Sequence, residues 1–368
     1  MTSRERIETA LNHKQPDRTP IFEYVLLSPV ADIVIGHKYM DYAGDYNGWL
    51  SMAREKGWER ALKQYVSDRL TLAEKLGHDM LYVVPNPPPE ILEQEPESNK
   101  KNDSGTFRET ADPVERVLRR NELNRQTIGQ LNSDRFLVYS YMVEEMEKRE
   151  IDLPIKAPAY VHGIWTDVDL MQTMILEPEA AHEHFELATR RVTIDIKKYL
   201  EMGIKQIGIG GDFSGNRLLI SPESYRRFIV PQLKILTEII HQSGGWAVNA
   251  SDGNLWLVID DFLINSGVDG YIEIDMRAGM DLKRLKTEYG HKITFYGNMD
   301  CGEVLSFASP EEIRNYTIEC IENGWGNGGH IFTASNAITG SVKLENYMAM
   351  VNAYRDIFSL QRLKFDNC

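Results

Sequence analysis

QIGIGGDFSGNRLLISPESYRRFIVPQLKILTEIIHQSGGWAVNASD, residues 206–252, contains two short β-rich runs with a helix-length amphipathic segment between them. The helical segment opens at Ser221, a good N-cap residue, and ends in glycines, as helix start and stop signals predict. A strand, a helix and a second strand in this order are typical of a βα unit in a parallel sheet.

The same alternation runs along the rest of the chain. The β-rich runs are PIFEY (20–24), MLYVVP (80–85), PIKAPAYV (154–161), QIGIGGD (206–212), WAVNASD (246–252), GYIEID (270–275), ITFYGNMD (293–300) and HIFTASN (330–336). Eight strands are the number that closes a (β/α)8 TIM barrel. A doubly wound open sheet is the alternative, but it usually has a Gly-rich turn after its first strand, and PIFEYVLLSP has none. The sequence therefore predicts an α/β protein with a (β/α)8 barrel.

The expected organisation is a single domain over residues 1–368, with an N-terminal helical segment at 1–19. One polar, charge-dense excursion, at about 90–130, interrupts the alternation. We predict a solvated loop there, with a small hairpin around SGTFRET. A long loop of this kind can instead cover an active site or contact a partner.

Composition excludes several classes of protein. Lys and Arg total 41 and Asp and Glu 55, so the formal net charge is 41 − 55 = −14. This balance argues against nucleic acid and against an anionic membrane surface, because both attract basic proteins. The three cysteines, Cys301, Cys320 and Cys368, form no CxxC pair. That pattern excludes a disulfide scaffold and predicts a reducing, cytoplasmic location. No apolar run reaches the ~18 residues of a membrane span.

Candidate site residues lie at the carboxyl ends of the strands, where barrels build their active sites. They are Glu23, Tyr24, His162, Trp165, Asp212, Asn249, Asp252, Glu273, Asn298, Cys301 and Asn336. Any single Asp or Asn at such an end is as often a helix N-cap. The glycines around Asp212 suit either close approach to a ligand or a plain tight turn. His162 can be a pocket histidine and Cys301 a buried inert thiol.

Several stretches resemble the uroporphyrinogen decarboxylase superfamily. They are RERIETALNHKQPDRTPI at the start, then GGDFSGNRLLISPESYRRFIVPQLKILTEIIHQSGG, ASDGN, AGMDLKRLKTEYGHKITFYGNMD and ASPEEIRNYTIECIENGWGNGGHIFTASNAITGSVKLENYMAMVNAYRD. The resemblance covers nearly the whole chain and implies a (β/α)8 barrel. True decarboxylases of the family have an Arg-rich segment after the first strand, an aspartate after the second and a late histidine. This chain has EYVLLSPVADIVIG, Asn86 and Asn336 at those places.

The resemblance therefore favours the other branch, the corrinoid-dependent methyltransferases. Many of these bind zinc through a His-x-Cys pair and a late cysteine. Here the pair's positions hold Ala250 and Asp252, and the late cysteine falls within TASNA. The usual soft ligands are absent, so a zinc ion would need other donors, with Asp252, Glu273 and Cys301 as candidates.

The expected function is transfer of a methyl group from a small O- or N-methyl compound, such as a methoxyaromatic, to the Co(I) corrinoid (cobalamin) of a partner protein. Asp252, Glu273 or His162 would protonate the leaving group. The predicted substrate-binding residues are Glu23, Tyr24, Trp165, Asp212, Asn249, Asn298 and Asn336. The alternatives are a decarboxylase or lyase of a small carboxylated substrate, and a non-catalytic small-molecule-binding protein. A homodimer is expected only because it is the commonest oligomer.

Overall fold

The computed structural model describes residues 1–93, 112–129 and 132–365. The chain divides into two compact units. Unit 1 comprises Met1–Pro87, Asp134–Ala157 and Asp269–Cys368, and unit 2 comprises Pro88–Ser133 and Pro158–Val268.

Short strands form where the β-rich runs predict them. They are β1 (Leu81–Tyr82), β2 (Ile155–Pro158), β3 (Gln206–Gly210), β4 (Trp246–Ala250), β5 (Gly270–Ile272), β6 (Thr294–Tyr296) and β7 (His330–Ile331). In unit 1, β1 pairs with β2, and β6 pairs with both β5 and β7. In unit 2, β3 pairs with β4. All these ladders are parallel, and each joins strands that follow each other in sequence.

The first predicted run, 20–24, forms only an isolated bridge. Ile21 bridges Phe332 in parallel, and the Phe22 amide donates to the Phe332 carbonyl at 3.1 Å. On its other side, the Asp79 amide donates to the Ile21 carbonyl at 2.7 Å. Pro20 has no amide hydrogen to extend the ladder. The run is therefore shorter than a strand, although it lies between the segments that carry β1 and β7.

Helices follow most of the strands, which gives an α/β fold. They are α1 (Ser3–Leu11), α2 (Val30–Ile35), α3 (Tyr46–Lys56), α4 (Trp58–Leu76), α5 (Pro113–Thr127), α6 (Leu137–Arg149), α7 (Val168–Leu176), α8 (Pro178–Glu201), α9 (Pro222–Ser224), α10 (Val230–Gln242), α11 (Leu282–Tyr289), α12 (Val304–Phe307), α13 (Pro310–Gly324) and α14 (Leu344–Ile357). Ser221 caps α9 as predicted, accepting the Ser224 amide at 3.0 Å. Across the described ranges, none of these helices combines the length and apolarity needed to span a bilayer.

The excursion at about 90–130 differs from the prediction. Its proposed hairpin around SGTFRET lies outside the described residues, but 113–127 is a helix rather than a loop. Asp112 caps α5 by accepting the Val114 amide at 2.9 Å, and Pro113 occupies its first turn. Its charged side chains pair with the start of α7, with Arg116 bound to Asp169 and Arg120 to Asp167, each at 2.6 Å. The charged side chains that suggested a loop thus form ion pairs between α5 and the start of α7.

A buried ion-pair cluster anchors the first run in unit 1. The Asp79 carboxylate is fully buried and accepts from Arg6 at 2.6 Å and from Arg18 at 2.7 Å. It also accepts the backbone amide of Ile21 at 3.0 Å. A buried carboxylate needs such partners, because an unpaired charge is costly to bury. These contacts hold α1 and the first run against the start of β1, and so position Glu23 and Tyr24.

Candidate active site

Four side chains of unit 1 form what we call the lysine cluster: Tyr24, Tyr82, Lys156 and Glu273. Tyr82 and Lys156 are register partners in the β1–β2 ladder. The Lys156 Nζ lies 5.1 Å from the centre of the Tyr82 ring and 5.4 Å from that of Tyr24. The two rings lie 4.1 Å apart between centres, and the Tyr24 hydroxyl donates to that of Tyr82 at 3.3 Å. An ammonium within about 6 Å of an aromatic face is attracted by its quadrupole.

Burial governs the charge of Lys156. The side chain is fully inaccessible, and burial lowers its pKa to about 7, while the negative charge of Glu273 opposes that shift. Glu273 follows β5 with a φ of +73°, a conformation that non-glycine residues rarely adopt. Such backbone strain costs roughly 1–3 kcal/mol and concentrates at functional sites. The cluster thus joins a strained carboxylate to a lysine that can gain or lose a proton near neutral pH.

Sequence reasoning identified half of this cluster. Tyr24 and Glu273 are among the predicted site residues, whereas Lys156 and Tyr82 are not. The available signal was a lysine inside the otherwise apolar run PIKAPAYV (154–161). Lysine is almost never fully buried in a folded protein without a partner. Its position in a predicted buried strand therefore marks it as a candidate.

Glu23, a predicted substrate-binding residue, is also buried in unit 1. Its Oε2 accepts from the Ala334 amide at 3.3 Å and from the Thr333 hydroxyl at 3.4 Å. Its Oε1 has no hydrogen-bond partner among the residues that the structure describes. Burial raises the pKa of the carboxyl to about 7, against the lowering effect of these hydrogen bonds. Glu23 can therefore exist as a neutral acid at physiological pH.

The other predicted residues of unit 1 are engaged locally. The backbone amide of Asn298 donates to the Cys320 Sγ at 3.2 Å. Asn298 also lines a pocket of about 300 Å³ beside α13. Asn336 accepts the Ala337 amide through its Oδ1 at 2.7 Å. The Cys301 Sγ lies 3.7 Å from the Ser335 hydroxyl, and burial raises the pKa of the thiol. Burial of Cys301 thus disfavours the free thiolate that an activated nucleophile needs.

In unit 2, three chain segments at strand ends lie side by side and bring Asp212 and Asp252 together. The Asp252 amide donates to the Asp212 Oδ1 at 2.9 Å, and the Ile164 amide donates to the Asp212 carbonyl at 2.7 Å. Gly211 has a φ of +136°, and a Cβ there would lie 2.6 Å from the Gly163 nitrogen. Close backbone packing therefore explains this glycine without a ligand.

The remaining predicted residues of unit 2 lie in different surroundings. The His162 Nε2 is 2.9 Å from the Thr189 hydroxyl on α8, and burial lowers the pKa of the imidazole to about 3. It is neutral at pH 7 and poorly suited to donate a proton. The Asn249 side chain donates to the Phe262 carbonyl at 3.0 Å and accepts the Ala250 amide at 3.1 Å. Trp165 is 54% exposed.

The donor set does not fit a zinc ion. Over residues 1–93, 112–129 and 132–365, no three His, Cys, Asp or Glu side chains are grouped closely enough to hold a metal. None of the candidates Asp252, Glu273 and Cys301 belongs to such a group within these ranges.

Parallel strands alternating with helices define an α/β protein, and in unit 1 carboxyl, phenol and ammonium groups lie on the strands and just after them. Residues 2–357 match the profile of the uroporphyrinogen decarboxylase (URO-D) family. The chain belongs to this family, which confirms the relationship predicted from the sequence motifs.

Curated relatives are similar at low identity over part of their length. The uroporphyrinogen decarboxylase of Nitrosococcus oceani is 23% identical over 59% of this chain and 64% of its own. That of Coxiella burnetii is 24% identical over 51% of this chain and 50% of its own. The chain thus spans about half to two thirds of these relatives, and their activity is not carried over to it.

A solved structure is similar over a much longer stretch. A methyltransferase from Methanosarcina mazei superposes with a TM-score of 0.66, covering 97% of this chain and 99% of its own. The two sequences are 17% identical. At that identity the likeness establishes a shared fold, and any shared activity has to be argued from the site.

Proposed function

We propose that this protein is a methyltransferase that moves a methyl group from a small methylated compound to the corrinoid of a partner protein. We further propose that its strands close into a (β/α)8 barrel. The parallel bridge between Ile21 and Phe332 supports closure, because it joins the first β-rich run to the last.

The observation that carries the function is the residue set next to the first run. The segment 23–36, EYVLLSPVADIVIG, contains no arginine, and its site residues are a buried acid and a phenol. A porphyrin with many carboxylates would need several cations to bind it. Two cations lie at this site: Lys156, whose charge is opposed by that of Glu273, and the buried Arg69, which donates to the Tyr82 carbonyl at 2.9 Å. The site therefore suits a small, weakly charged substrate better than a polycarboxylate.

The chain's residues would have two tasks in this reaction. The corrinoid would supply the electron pair that accepts the methyl group, so no nucleophilic side chain is required. The phenol rings of Tyr24 and Tyr82 would hold a flat substrate, since offset stacking of aromatic rings is favourable. The acids of the site, protonated Glu23 and Lys156, would neutralise charge on the departing atom. General acid catalysis of this kind typically contributes ~10²–10⁴-fold.

The test is methyl transfer to free cob(I)alamin. Purified protein is incubated with reduced cobalamin and a panel of methoxyaromatics, aliphatic methyl ethers and methylamines. We expect at least one donor to produce the absorbance change of cobalamin methylation, together with the demethylated product by mass spectrometry. Glu23→Gln should slow this reaction, whereas Glu223→Gln, at an exposed carboxylate, should not.

Two results would contradict the proposal. One is the absence of methylation across the panel with folded protein. The other is release of carbon dioxide from uroporphyrinogen or a small carboxylated compound without cobalamin, which would indicate a decarboxylase or lyase.

A further inference from the structure

We propose that unit 1 has a second ligand site and that its ligand is a mononucleotide, a phosphate joined to a planar ring. The site is a cavity of about 390 Å³ lined by α11 and by residues of and around the glycine-rich segment GWGNGG (324–329). Its residues lie before β6 and β7 in the chain. Because β5, β6 and β7 run parallel, this edge of the sheet is opposite to the one that carries Glu273. A molecule bound here is therefore a ligand of its own, independent of the proposed methyl transfer.

The cavity is basic in a protein that is acidic overall. Lys283, Lys286 and Thr287 line it from one face of α11, since side chains three and four positions apart are neighbours on a helix. His291 lines it just after the helix. Among the described residues that form its wall, Glu322 is the one carboxylate, and it is exposed. Two lysines at one cavity of a chain with a net charge of −14 favour an anionic ligand.

Lys286 has a partly buried charge without a counter-charge. Its Nζ donates to the Gly328 carbonyl, and burial lowers its pKa to about 8. Within the described parts of the chain, no carboxylate offsets that shift. Its neighbours include two imidazoles instead, because burial and then the charge of Lys286 lower the pKa of His13 and of His330. A buried charge is costly unless it is paired, and a bound phosphate would supply the missing negative charge.

The wall opposite α11 is held in place before any ligand binds. Four consecutive residues, Gly326 to Gly329, have φ between +60° and +91°. The Gln15 Oε1 accepts the backbone amides of Gly326 at 3.1 Å and of Gly328 at 3.5 Å. The Gly329 amide donates to the Ala10 carbonyl at 2.8 Å. These bonds tie the segment to α1 and the residues after it, so little ordering remains to oppose binding.

Trp325 provides a surface for a planar ring. It lines the same cavity and is 45% exposed. Its ring centre lies 5.5 Å from that of Phe358, which supports it from the protein side. Stacking of a nucleic-acid base on an aromatic side chain typically contributes at least about fivefold in affinity. An aromatic ring beside two ammonium groups thus matches a base and a phosphate in one molecule.

The number of donors and the size of the cavity favour one nucleotide. A phosphate monoester has three acceptor oxygens and close to two negative charges at neutral pH. It can therefore accept from Lys283, Lys286 and His291 together, whereas a carboxylate has only two oxygens. A volume of about 390 Å³ is at the small end of ligand pockets, which suits a mononucleotide and not a dinucleotide.

The experiment is titration calorimetry of the full chain with adenosine 5′-monophosphate (AMP) at low salt. Adenosine, inorganic phosphate and benzoate are titrated in parallel. They carry the ring alone, the phosphate alone and a ring with a carboxylate. We expect AMP to bind more tightly than each of the three. Added salt should weaken its binding, because it screens the charges of an open cavity.

Variants locate the site. Lys283 is exposed, so Lys283→Met should stay folded and weaken AMP binding by about tenfold or more, the usual contribution of a hydrogen bond to a charged group. Lys286→Met should weaken binding at least as much while its circular dichroism matches that of wild type. Trp325→Leu should reduce the affinity for AMP toward that for inorganic phosphate. Lys234→Met, at an exposed lysine of α10 in unit 2, is the matched control and should bind AMP as wild type does.

Any of three results would overturn the assignment. AMP shows no binding to the folded protein at millimolar concentrations, or benzoate or inorganic phosphate binds as tightly as AMP. The third is unchanged AMP affinity in both Lys283→Met and Lys286→Met. No arm of the experiment measures methyl transfer, so its failure would leave the proposed function as it stands.

Discussion

Tyr82 and Lys156 face each other across the parallel ladder of β1 and β2, with the lysine Nζ 5.1 Å from the centre of the tyrosine ring. Side chains of register partners project from the same face of a sheet. The strand pairing alone therefore places an ammonium beside a phenol, and Tyr24 completes the pair of rings. This relationship leads directly to a prediction about stability.

Lys156 should make the folded state less stable in a pH-dependent way. Its pKa is lowered from 10.5 to about 7 on folding, so between these values the unfolded chain binds more protons than the folded one. Stability therefore rises with pH across this window, and the full penalty is present below pH 7. Lys156→Met removes this penalty and also leaves the Glu273 carboxylate without its lysine, so its stability relative to wild type should be highest near pH 7 and fall toward pH 10.5. Urea unfolding at several pH values measures this, and a difference from wild type that is independent of pH would contradict it.

Glu23 should show the opposite dependence. Its pKa is raised from 4.5 to about 7 in the folded state. Between these two pH values the folded chain therefore holds a proton that the unfolded chain has lost. Its stabilising contribution is complete below pH 4.5 and is lost as the pH rises through 7. Glu23→Gln, which stays neutral, should remove this decline and be more stable than wild type above pH 7. Equal pH dependence of unfolding in the two proteins would refute the assignment.

Asp212 should stabilise the folded state through the hydrogen bond that it accepts from the backbone amide of Asp252. Asp212→Ala removes the acceptor for that amide and should cost about 1 kcal/mol of unfolding free energy. Asp212→Asn keeps an oxygen acceptor and should recover most of this stability. If both variants lose methyl-transfer activity while only the alanine variant loses stability, the carboxylate charge also serves the substrate. Equal stability of the three proteins would show that the bond contributes nothing.

The strands were predictable because their signals are local. β3 and β4 are short, mostly apolar runs, QIGIG and WAVNA, and Ser221 marks the start of the helix between them. Helix α5 was not predictable in this way. It is stabilised by ion pairs of Arg116 with Asp169 and of Arg120 with Asp167, and these aspartates are distant in sequence. Charge density alone looks the same in a solvated loop and in a helix paired with another helix.

The carboxyl groups of the candidate site were predictable from the sequence, and its lysine was not. Glu23 and Glu273 lie near the carboxyl ends of β-rich runs, so the barrel rule that places chemistry at strand ends points to them. Lys156 lies inside a strand, and its surroundings are set by its register with Tyr82 and by the charge of Glu273, 117 positions further along the chain. His162 shows the reverse case, since its position at a strand end suggested an acid and its ring instead contacts Thr189 on α8.

Gly211 should tolerate no side chain, because backbone atoms occupy the space. An added Cβ would lie 2.6 Å from the Gly163 nitrogen and 2.9 Å from its Cα, and the φ of +136° suits only glycine. Gly203 is the matched control, with a φ of +79° and nothing within 4 Å of an added Cβ. Gly203→Ala should cost about 1–2 kcal/mol from backbone strain alone. Gly211→Ala should cost clearly more in urea unfolding, because it must also move the chain beside His162 and Asp212. Equal losses of unfolding free energy in the two variants would contradict this prediction. They would show that the backbone at Gly163 moves at little cost to make room for the added Cβ.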